Sequence, residues 1–442
     1  MPAQAIKKTG PSQNILISGL SWQTSHGRHP RRIDRSRGTS LLTGQGGIAI
    51  AKVVIVGGGP AGLACAAELS SRGICCTILE RKGALGGRAD MLSCKGEVHC
   101  RHCDVCQVHR LREQVLRSEN VSVITNAELE QVERSNGRYR LDVQRPKEAI
   151  DLGTCSRCGK CVEACPTGAM AKVGNKVVLD RSRCRSIQGL QCELCVSVCP
   201  TGSIDLFGEE HLSVCGDAVV VATGSLEFPA QEDRRLGWGE VPGVITSMEL
   251  ESYLEGRSAL KIKKGSRICF VLCVGSRTCR QGTEMCSAVC CKYALRQALR
   301  LKEGDPSLDM TMFVMDWRGV HDGDPLMREL EGSGIKVVRS RPAEIVEENG
   351  RPCVRYADDE VHAEAFDVAV LAVGLVPDKD NDLVEQLALP RDEEGNLVLR
   401  NCRERGIFLA GSCLGPKDIR QSMTDGTLAA KGVLDLLEED DG

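Results

Sequence analysis

The feature that most constrains the fold is a glycine-rich turn between a buried-type strand and a helical run. Residues 53–56 (VVIV) are β-branched, and Gly57, Gly59 and Gly62 follow in G-x-G-x-x-G spacing. The first glycine allows a tight turn, the second lets the backbone approach a pyrophosphate, and the third lets the helix pack on the strand. This arrangement predicts a βαβ unit whose helix N-terminus faces a bound anion.

A second strand, after the helix, ends on a carboxylate. Residues 74–79 are largely apolar, and Glu80 follows them directly. In a dinucleotide-binding unit, an acidic side chain at this place accepts a hydrogen bond from a ribose hydroxyl and disfavours a 2′-phosphate. Strand, helix, strand and acid in register therefore predict a dinucleotide site rather than an empty structural βαβ unit.

The residues that follow favour FAD over NAD. Gly87 and Arg88 come shortly after the acidic strand and resemble the glycine-rich continuation of two-dinucleotide flavoproteins. Farther along, VVVATG, which ends at Gly224, resembles the strand that returns the chain to this domain, and GIFLAG, which ends at Gly411, resembles its last strand. The resemblance implies that both glycines lie beside FAD.

Cysteine is the outlier of the composition. The chain has 25 cysteines, bunched into short-period runs, and this pattern predicts metal sites or clusters in a reducing, cytoplasmic compartment rather than disulfides. The formal net charge is -3 and aromatic residues make up 3%. We therefore expect no nucleic-acid partner, because the chain lacks a basic field and stacking platforms. No segment is typical of a membrane span.

Two cysteine runs have the spacing of two-cluster ferredoxins. The first is C-x2-C-x2-C-x3-C-P, and the second also ends in Cys-Pro but has a longer first gap, which makes Cys184 its weakest assignment. In such ferredoxins the fourth cysteine of each run ligates the other cluster, whereas zinc needs four ligands in one closed tetrahedron. We expect two [4Fe-4S] clusters, one on Cys155, Cys158, Cys161 and Cys199, the other on Cys184, Cys192, Cys195 and Cys165.

Another group of cysteines comes shortly after Arg88. Four thiolates this close together can wrap a [4Fe-4S] cluster, and Arg101 and Arg110 would offset its negative charge. Three nearby histidines leave a Cys3His zinc site open, and a reduced structural loop is a third interpretation. The residues concerned are Cys94, Cys100, Cys103 and Cys106, with His99, His102 and His109.

A last group lies where a nicotinamide fingerprint is expected. A buried-type strand at 267–273 is followed by Gly275 without further fingerprint glycines, and cysteines stand at Cys273, Cys286, Cys290 and Cys291. Helical apolar spacing over 287–302 predicts that Cys286 and Cys290 share a helix face, from which Cys291 points away. Cysteines on a helix are often small core hydrophobes, but four around a strand-to-helix turn favour a site.

This segment also carries the firmest resemblance to a known family. CVGSR together with CSAVCC-x-YALRQA resembles the A subunit of heterodisulfide reductase and its relatives, including subunits of quinone-interacting membrane-bound oxidoreductases. GIKVVRSRPAEI, DVAVLAVGLVP and GPKDI extend the resemblance over nearly everything from residue 51 onward. It implies an α/β, thioredoxin-reductase-like flavoprotein with two dinucleotide-type domains, FAD, and an inserted α+β ferredoxin domain with two [4Fe-4S] clusters.

The same resemblance implies roles for individual residues. It predicts a further cluster on the four cysteines between 273 and 291, with Cys279 ranked behind Cys286. Lys417 and Asp418, in GPKDI, would lie by the flavin ring, with Lys417 as the catalytic candidate and the following helix aiming its dipole at the flavin. Ser412 follows Gly411 where such flavoproteins often have an aspartate that binds the ribityl chain, so that contact must come from elsewhere.

We expect an electron-transfer oxidoreductase that works with other redox subunits. These would be heterodisulfide-reductase-like B and C subunits, a hydrogenase or dehydrogenase, or a ferredoxin, and a homodimer is left open. Residues 1–50 hold no cysteine, which puts electron entry through an N-terminal cluster domain in doubt. Two alternatives are a non-catalytic cluster-bearing adaptor and a NAD(P)H-dependent flavoprotein resembling the glutamate synthase small subunit.

The expected domain order follows from these motifs. The segments are a poorly ordered extension (1–50), the FAD domain (51–148), the ferredoxin insertion (149–208), the FAD domain again (209–260), a degenerate NAD-type domain carrying a cluster site (261–375), and the last part of the FAD domain (376–442).

Overall fold

The computed structural model describes residues 48–50, 52–96, 100–174, 176–280, 282–321 and 323–440. The strands are β1 (Ile48–Ile50), β2 (Val53–Val56), β3 (Cys76–Glu80), β4 (Val121–Thr125), β5 (Glu128–Ser135), β6 (Arg138–Pro146), β7 (Met170–Val173), β8 (Lys176–Leu179), β9 (Glu209–Gly216), β10 (Ala218–Val221), β11 (Leu226–Glu227), β12 (Val244–Thr246), β13 (Arg267–Val274), β14 (Asp309–Phe313), β15 (Lys336–Val338), β16 (Glu344–Glu348), β17 (Arg351–Ala357), β18 (Val361–Ala365), β19 (Val368–Val373), β20 (Leu375–Val376) and β21 (Ile407–Leu409). The helices are α1 (Pro60–Ser71), α2 (Val105–Arg117), α3 (Lys160–Glu163), α4 (Leu194–Ser197), α5 (Ser247–Leu254), α6 (Cys290–Gly304), α7 (Pro325–Ser333), α8 (Asp382–Gln386) and α9 (Ile419–Asp440).

The first sheet is a five-stranded parallel sheet in the order β21-β10-β2-β3-β4. Its strands are short apolar runs because both faces are covered, one by α1, α2 and α9 and the other largely by side chains of β6 and β9. Val53, Val54 and Ile55 of β2 are fully buried. Burial of each such side chain contributes about 1.5–3 kcal/mol. The strand order reverses between β2 and β10, which is where an open α/β sheet places its ligand crevice. The predicted βαβ unit and both returning strands are therefore confirmed in one sheet.

The second sheet is also parallel, in the order β12-β19-β13-β14-β15. Helices α5, α6 and α7 pack on it through a buried cluster that includes Leu250, Leu295 and Leu330. The antiparallel sheet β16-β17-β18 lies between β15 and β19 in the chain. Strand β12 pairs with β19 from Val244 onward, so the second sheet already takes a strand from the segment that the sequence assigned to the FAD domain before residue 261.

A mixed sheet in the order β1-β9-β6-β5 carries the cysteine-rich insertion between its antiparallel strands β6 and β9. Strands β6 and β9 pair from Tyr139 opposite Gly216 to Pro146 opposite Glu209. The intervening chain contains the β7-β8 hairpin, α3, α4 and a single 3-10 turn at Arg181–Arg183 among its described residues. This segment has a hydrophobic cluster of its own, which includes Cys161, Cys184 and Cys195. The insertion therefore leaves and re-enters the sheet at adjacent positions.

Short connections join the two parallel sheets. The chain leaves the first through β11 and returns through β20, and these two-residue strands pair with each other. Strand β1 pairs with β9, so residues 48–50 are part of a sheet rather than of a poorly ordered extension, while the prediction for residues 1–47 lies outside the described residues. Among the described helices, none has the length and apolar character needed to cross a membrane.

Candidate functional site

The three fingerprint glycines occupy three different environments. Gly57 has φ +110°, and a Cβ there would lie 2.2 Å from the carbonyl oxygen of Ala222, because β2 and β10 approach closely at the switch point. A Cβ on Gly62 would lie 1.9 Å from the Gly57 oxygen. A Cβ on Gly59, by contrast, would meet no other atom within 4 Å. The backbone at Gly59 is thus open to a ligand, and the other two glycines serve the turn and the helix packing.

A cavity of about 680 Å³ opens at this turn, between the carboxyl ends of β2, β3 and β10. Seven of the ten residues predicted to bind the cofactor line it. They are Gly57, Gly59, Glu80, Gly87, Arg88, Gly224 and Gly411. Gly62 lies behind them in the helix and packs against the turn.

Glu80 ends β3 with its carboxylate held by the backbone. Its Oε2 accepts a hydrogen bond from Gly58 N at 2.7 Å, and its Oε1 accepts one from Lys82 N at 2.8 Å. The residue is 6% exposed. Each oxygen keeps a lone pair for a further donor, so the carboxylate can also receive a ribose hydroxyl.

Arg88 lies between this cavity and a smaller one. Its Nη2 donates to Ser225 O at 2.5 Å and to Ser225 Oγ at 3.2 Å, and its Nε lies 3.9 Å from Glu227 Oε1. Burial lowers the pKa of Arg88 and raises the pKa of Glu227. Nη1 of Arg88 is buried without a hydrogen-bond partner, so the guanidinium has a donor to spare for a bound acceptor.

The smaller cavity has a volume of about 190 Å³. It adjoins the first cavity, as shown by the lining residues that the two share, among them Pro60, Arg88, Glu227 and Ser412. Its far wall comes from the second sheet's helices, through residues such as Tyr293. Tyr293 Oη donates to Val373 O at 2.6 Å, and burial raises the pKa of this phenol well above its ordinary value. The residue is therefore a neutral wall of the cavity.

Lys417 and Asp418 also line the smaller cavity. Lys417 Nζ is paired with Asp425, whose Oδ2 in addition accepts a hydrogen bond from Gly411 N at 3.1 Å. Asp418 caps helix α9, since its Oδ1 accepts from Gln421 N at 2.9 Å. Asp425 is a residue that the sequence did not single out, and it ties the last strand to Lys417 in a region where the usual aspartate is missing.

These features fit FAD. Gly59, whose α-carbon is open, and Glu80, whose carboxylate is held by the backbone, line the larger cavity. Arg88, which has a donor without a partner, lines both adjoining cavities. A dinucleotide with a pyrophosphate, a ribose and a ring rich in acceptors would satisfy each of them.

The corresponding turn of the second sheet is filled by protein. A Cβ on Gly275 would lie 2.0 Å from the Phe228 ring, and the loop after β13 folds back so that Thr283 N donates to Gly275 O at 3.1 Å. A dinucleotide cannot approach the backbone there as it can at Gly59.

Helix α6 begins later than the sequence predicts. It starts at Cys290, and Ala288 before it has φ +55°, a left-handed conformation that ends any helix extending toward Cys286. The expectation that Cys286 and Cys290 share a helix face is therefore wrong. Cys286 lies in the preceding loop, where its Sγ accepts a hydrogen bond from Ala288 N at 3.3 Å.

Three of the four cysteines in this group converge. Hydrogen bonding to Cys290 raises the pKa of Cys273 and of Cys291, and the contact with Cys273 lowers the pKa of Cys290. All three are buried, while Cys286 is partly exposed and Cys279 is exposed.

The insertion brings one predicted ligand set to a common cavity. That small cavity is lined by Cys165, Cys184, Cys192 and Cys195, so the last cysteine of the first run lies with the second run. In the other predicted set, burial is the main cause of the raised pKa of Cys161. Cys155 and Cys158 lie close enough to raise this pKa further. The fourth member, Cys199, forms a hydrogen bond between its Sγ and Ser203 Oγ at 3.4 Å. This hydrogen bond is the main cause that lowers the pKa of Cys199 to about 7.

The fourth group lies on the loop before α2 and in the first turn of that helix, which contains Cys106. Cys94, Cys100 and Cys106 are exposed, whereas Cys103 is partly buried and lines the smaller cavity. Residues 97–99 lie outside the described residues, and they include His99, one of the three histidines considered for zinc.

Arg101 anchors this loop and is not available to a cluster as predicted. Its side chain is 2% exposed and pairs with Glu303 on α6 and Glu329 on α7. Arg296 on α6 donates to Arg101 O at 2.9 Å and to His102 O at 2.7 Å. Within the part of the chain that the structure describes, no three Cys, His, Asp or Glu side chains form a group arranged to hold a metal ion.

Comparison with known proteins confirms the resemblance inferred from the sequence. The chain is 29% identical over 420 residues to the A subunit of the H(2):CoB-CoM heterodisulfide,ferredoxin reductase of Methanothermobacter thermautotrophicus, covering 86% of this chain and 63% of the relative. It is 30% identical over 416 residues to an iron-sulfur A subunit, numbered 2, of the CoB--CoM heterodisulfide reductase of Methanopyrus kandleri, with the same coverage of 86% and 63%. The chain thus spans less than two thirds of these relatives.

Solved structures show the same fold. Thioredoxin reductase of T. acidophilum matches with a TM-score of 0.53 and 14% identity, over 87% of this chain and 98% of that one. The enzyme of Lactococcus lactis matches with a TM-score of 0.51 and 17% identity, over 88% and 99%. The family model of the pyridine nucleotide-disulphide oxidoreductases matches residues 51–426. This chain, an oxidoreductase, therefore belongs to the pyridine nucleotide-disulphide oxidoreductase family.

Proposed function

We propose that the chain is an FAD- and iron-sulfur-dependent electron-transfer subunit of a heterodisulfide-reductase-like complex. The observation that carries the proposal is the course of helix α6. Its first two residues, Cys290 and Cys291, belong to the set of three buried cysteines that converge near Cys273. The next two residues, Lys292 and Tyr293, line the smaller cavity. A cluster held by those thiols would lie within one helical turn of the flavin site.

FAD would span the two cavities. Gly59 and the N-terminus of α1 would receive its pyrophosphate, Glu80 a ribose hydroxyl, and Arg88 an acceptor near the ring. Lys417, held by Asp425, and the N-terminus of α9 would offset negative charge beside the ring. The bound flavin supplies conversion between two-electron and one-electron chemistry.

The thiol groups would hold the one-electron carriers. Two [4Fe-4S] clusters belong in the insertion, with the crosswise ligation that the sequence predicts, and a third belongs on Cys273, Cys286, Cys290 and Cys291. Support comes from the shared cavity at Cys165 and from a relative whose name describes it as iron-sulfur. A further cluster or a zinc ion would occupy Cys94, Cys100, Cys103 and Cys106.

Partner proteins would exchange electrons with these clusters. The relatives are named as A subunits of heterodisulfide reductases, which supports redox partners of the B and C type, a hydrogenase or dehydrogenase, or a ferredoxin, in the cytoplasm. The blocked turn at Gly275 argues against NAD(P)H as the donor.

Anaerobic quantification of iron, sulfide and flavin on the isolated chain tests the proposal. About sixteen irons per flavin are expected if the fourth cysteine group holds a cubane and about twelve if it holds zinc, whereas about eight would restrict iron to the insertion. NADH and NADPH should leave the flavin oxidised. A colourless protein with zinc and no iron would contradict the proposal.

A matched pair of cysteine variants identifies which thiols hold iron. Cys195→Ser, in the shared cavity, should lower the iron content by about four atoms per flavin. Cys353→Ala removes another buried thiol, from strand β17, outside every predicted set, and should leave the iron content unchanged. Equal losses in both variants would count against the assigned ligands.

A further inference from the structure

Two unsatisfied polar atoms point to a ligand in the smaller cavity. Among the described residues, four buried side-chain nitrogen or oxygen atoms have no hydrogen-bond partner, on Thr77, Arg88, Ser276 and Gln297. Only Arg88 and Gln297 line the smaller cavity. One is a donor, Nη1, and the other is an acceptor, Oε1. A buried polar atom without a partner costs free energy, so each favours a complementary ligand.

The orientation of the Gln297 amide is fixed by its own donors. Nε2 donates to Ser247 O at 3.0 Å and to Glu251 Oε1 at 2.5 Å, so both amide hydrogens are used. Turning the amide over would set its oxygen against a carbonyl and a carboxylate. The orphan atom is therefore the amide oxygen, and it cannot exchange places with the nitrogen.

Glu251 is itself held in place. Its Oε2 accepts from Ser93 N at 2.9 Å, from Ser93 Oγ at 2.8 Å and from Lys95 Nζ at 2.6 Å. Glu251 is 1% exposed and Gln297 is also 1% exposed. Because the hydrogen bonds of Glu251 are satisfied, this network holds Gln297 rigidly and leaves its Oε1 as a costly unpaired acceptor.

We propose that Gln297 Oε1 accepts a hydrogen bond from the imide N3–H of the flavin ring. This inference rests on the proposed function, because it requires FAD in the two cavities. The oxidised isoalloxazine has one ring N–H, and its other exposed heteroatoms are acceptors. A single orphan acceptor and a single orphan donor, on two residues that line one cavity, match that pattern. The contact also makes the cysteine-bearing helix α6 a determinant of flavin recognition.

The test compares FAD with FAD methylated at N3. Apoprotein is titrated anaerobically with each, and dissociation constants are read from flavin fluorescence. The wild-type chain should bind N3-methyl-FAD at least about tenfold more weakly than FAD. In Gln297→Leu the ratio should fall toward one, because the acceptor is gone.

Thr77→Val provides the matched control, since Thr77 also has a fully buried oxygen without a partner but lies on β3, away from the smaller cavity. It should keep the wild-type ratio. If wild-type protein binds both flavins equally, or if Gln297→Leu keeps the preference, the inference fails while the proposed function stands. If wild-type protein binds no FAD, the proposed function fails and the inference with it.

A measurement on the unmodified chain covers the case in which Gln297→Leu does not fold. With ¹⁵N3-labelled FAD bound, the N3 proton should be visible by NMR and slow to exchange with solvent. A bound flavin whose N3 proton exchanges as freely as in solution would overturn the inference.

Discussion

Substitutions at Gly59 and Gly62 should affect different properties, cofactor binding at Gly59 and stability at Gly62, because different neighbours lie beside the two α-carbons. Gly59→Ala adds a methyl group to open space where we propose the pyrophosphate binds, and φ at this residue, -75°, suits alanine. The variant should lose at least about tenfold in FAD affinity, with the free energy of unfolding lowered by less than about 1 kcal/mol for the helix N-cap.

Gly62→Ala provides the contrast. Its methyl group would lie 1.9 Å from Gly57 O, and such overpacking costs about 1–3 kcal/mol, although alanine in a helix normally stabilises relative to glycine. Urea denaturation and FAD titration of both variants check this difference. A Gly59→Ala protein that is less stable than Gly62→Ala, yet binds FAD normally, would reverse the assigned roles.

Residues also differ in how far the sequence could predict them. The packing role of Gly62 was predictable, since it follows from a contact with Gly57 within one βαβ unit, whereas the close approach of Gly57 to Ala222 involves a strand far along the chain. The network of Lys95, Glu251 and Gln297 was not predictable, because its members lie far apart in the chain and meet only after both sheets have formed.

Cys413 follows the last strand and is buried. Its Sγ donates to Val221 O at 3.5 Å, and burial raises the pKa of this thiol to about 11.

At the scale of elements, the sequence located helices and strands better than their ends. Apolar spacing indicated the helix after β13, but its first residue depends on the positive φ of Ala288. A non-glycine residue in that conformation has no reliable sequence signature. The placement of Cys286 in the loop follows from that one backbone angle.

The loop before α2 is tied to α5 by a buried ion pair, and this predicts a large effect on stability. Lys95 and Glu251 side chains are 4% and 1% exposed, with Nζ and Oε2 2.6 Å apart. Glu251→Leu leaves a buried ammonium without its partner, which should cost about 3–5 kcal/mol in urea denaturation. The double variant Lys95→Met, Glu251→Leu should recover much of this loss, because neither charge remains.

A surface pair on α2 provides the control. Arg117 and Glu113 are paired at 66% and 62% exposure, and exposed pairs contribute about 0–1 kcal/mol. Glu113→Leu should therefore change stability by less than about 1 kcal/mol. An equally small effect of Glu251→Leu would mean that the loop is not anchored to α5 by this pair.

At the scale of the whole molecule, the family resemblance predicted two dinucleotide-type domains and an inserted cysteine-rich segment. The sequence could not predict that β12 joins the second sheet, since Val244 meets Ala369 only in the folded chain. Nor could it predict that α6 lines a cavity at the first sheet. Contacts between domains depend on long-range packing rather than on local periodicity, and the smaller cavity is built from such contacts.

The pairing of β6 with β9 predicts that the insertion can be removed without loss of the flavin site. Lys147 N donates to Gly208 O at 2.7 Å, so replacing residues 148–207 by Asn-Gly would close the two strands as a two-residue hairpin. The shortened chain should bind FAD with unchanged affinity and contain about eight fewer irons per flavin. The full-length variant Cys161→Ser, Cys195→Ser should lose the same iron while keeping the insertion's backbone. If the shortened chain alone loses FAD, the insertion supports the flavin domain directly; if both keep their iron, the clusters are not where the cysteine runs predict.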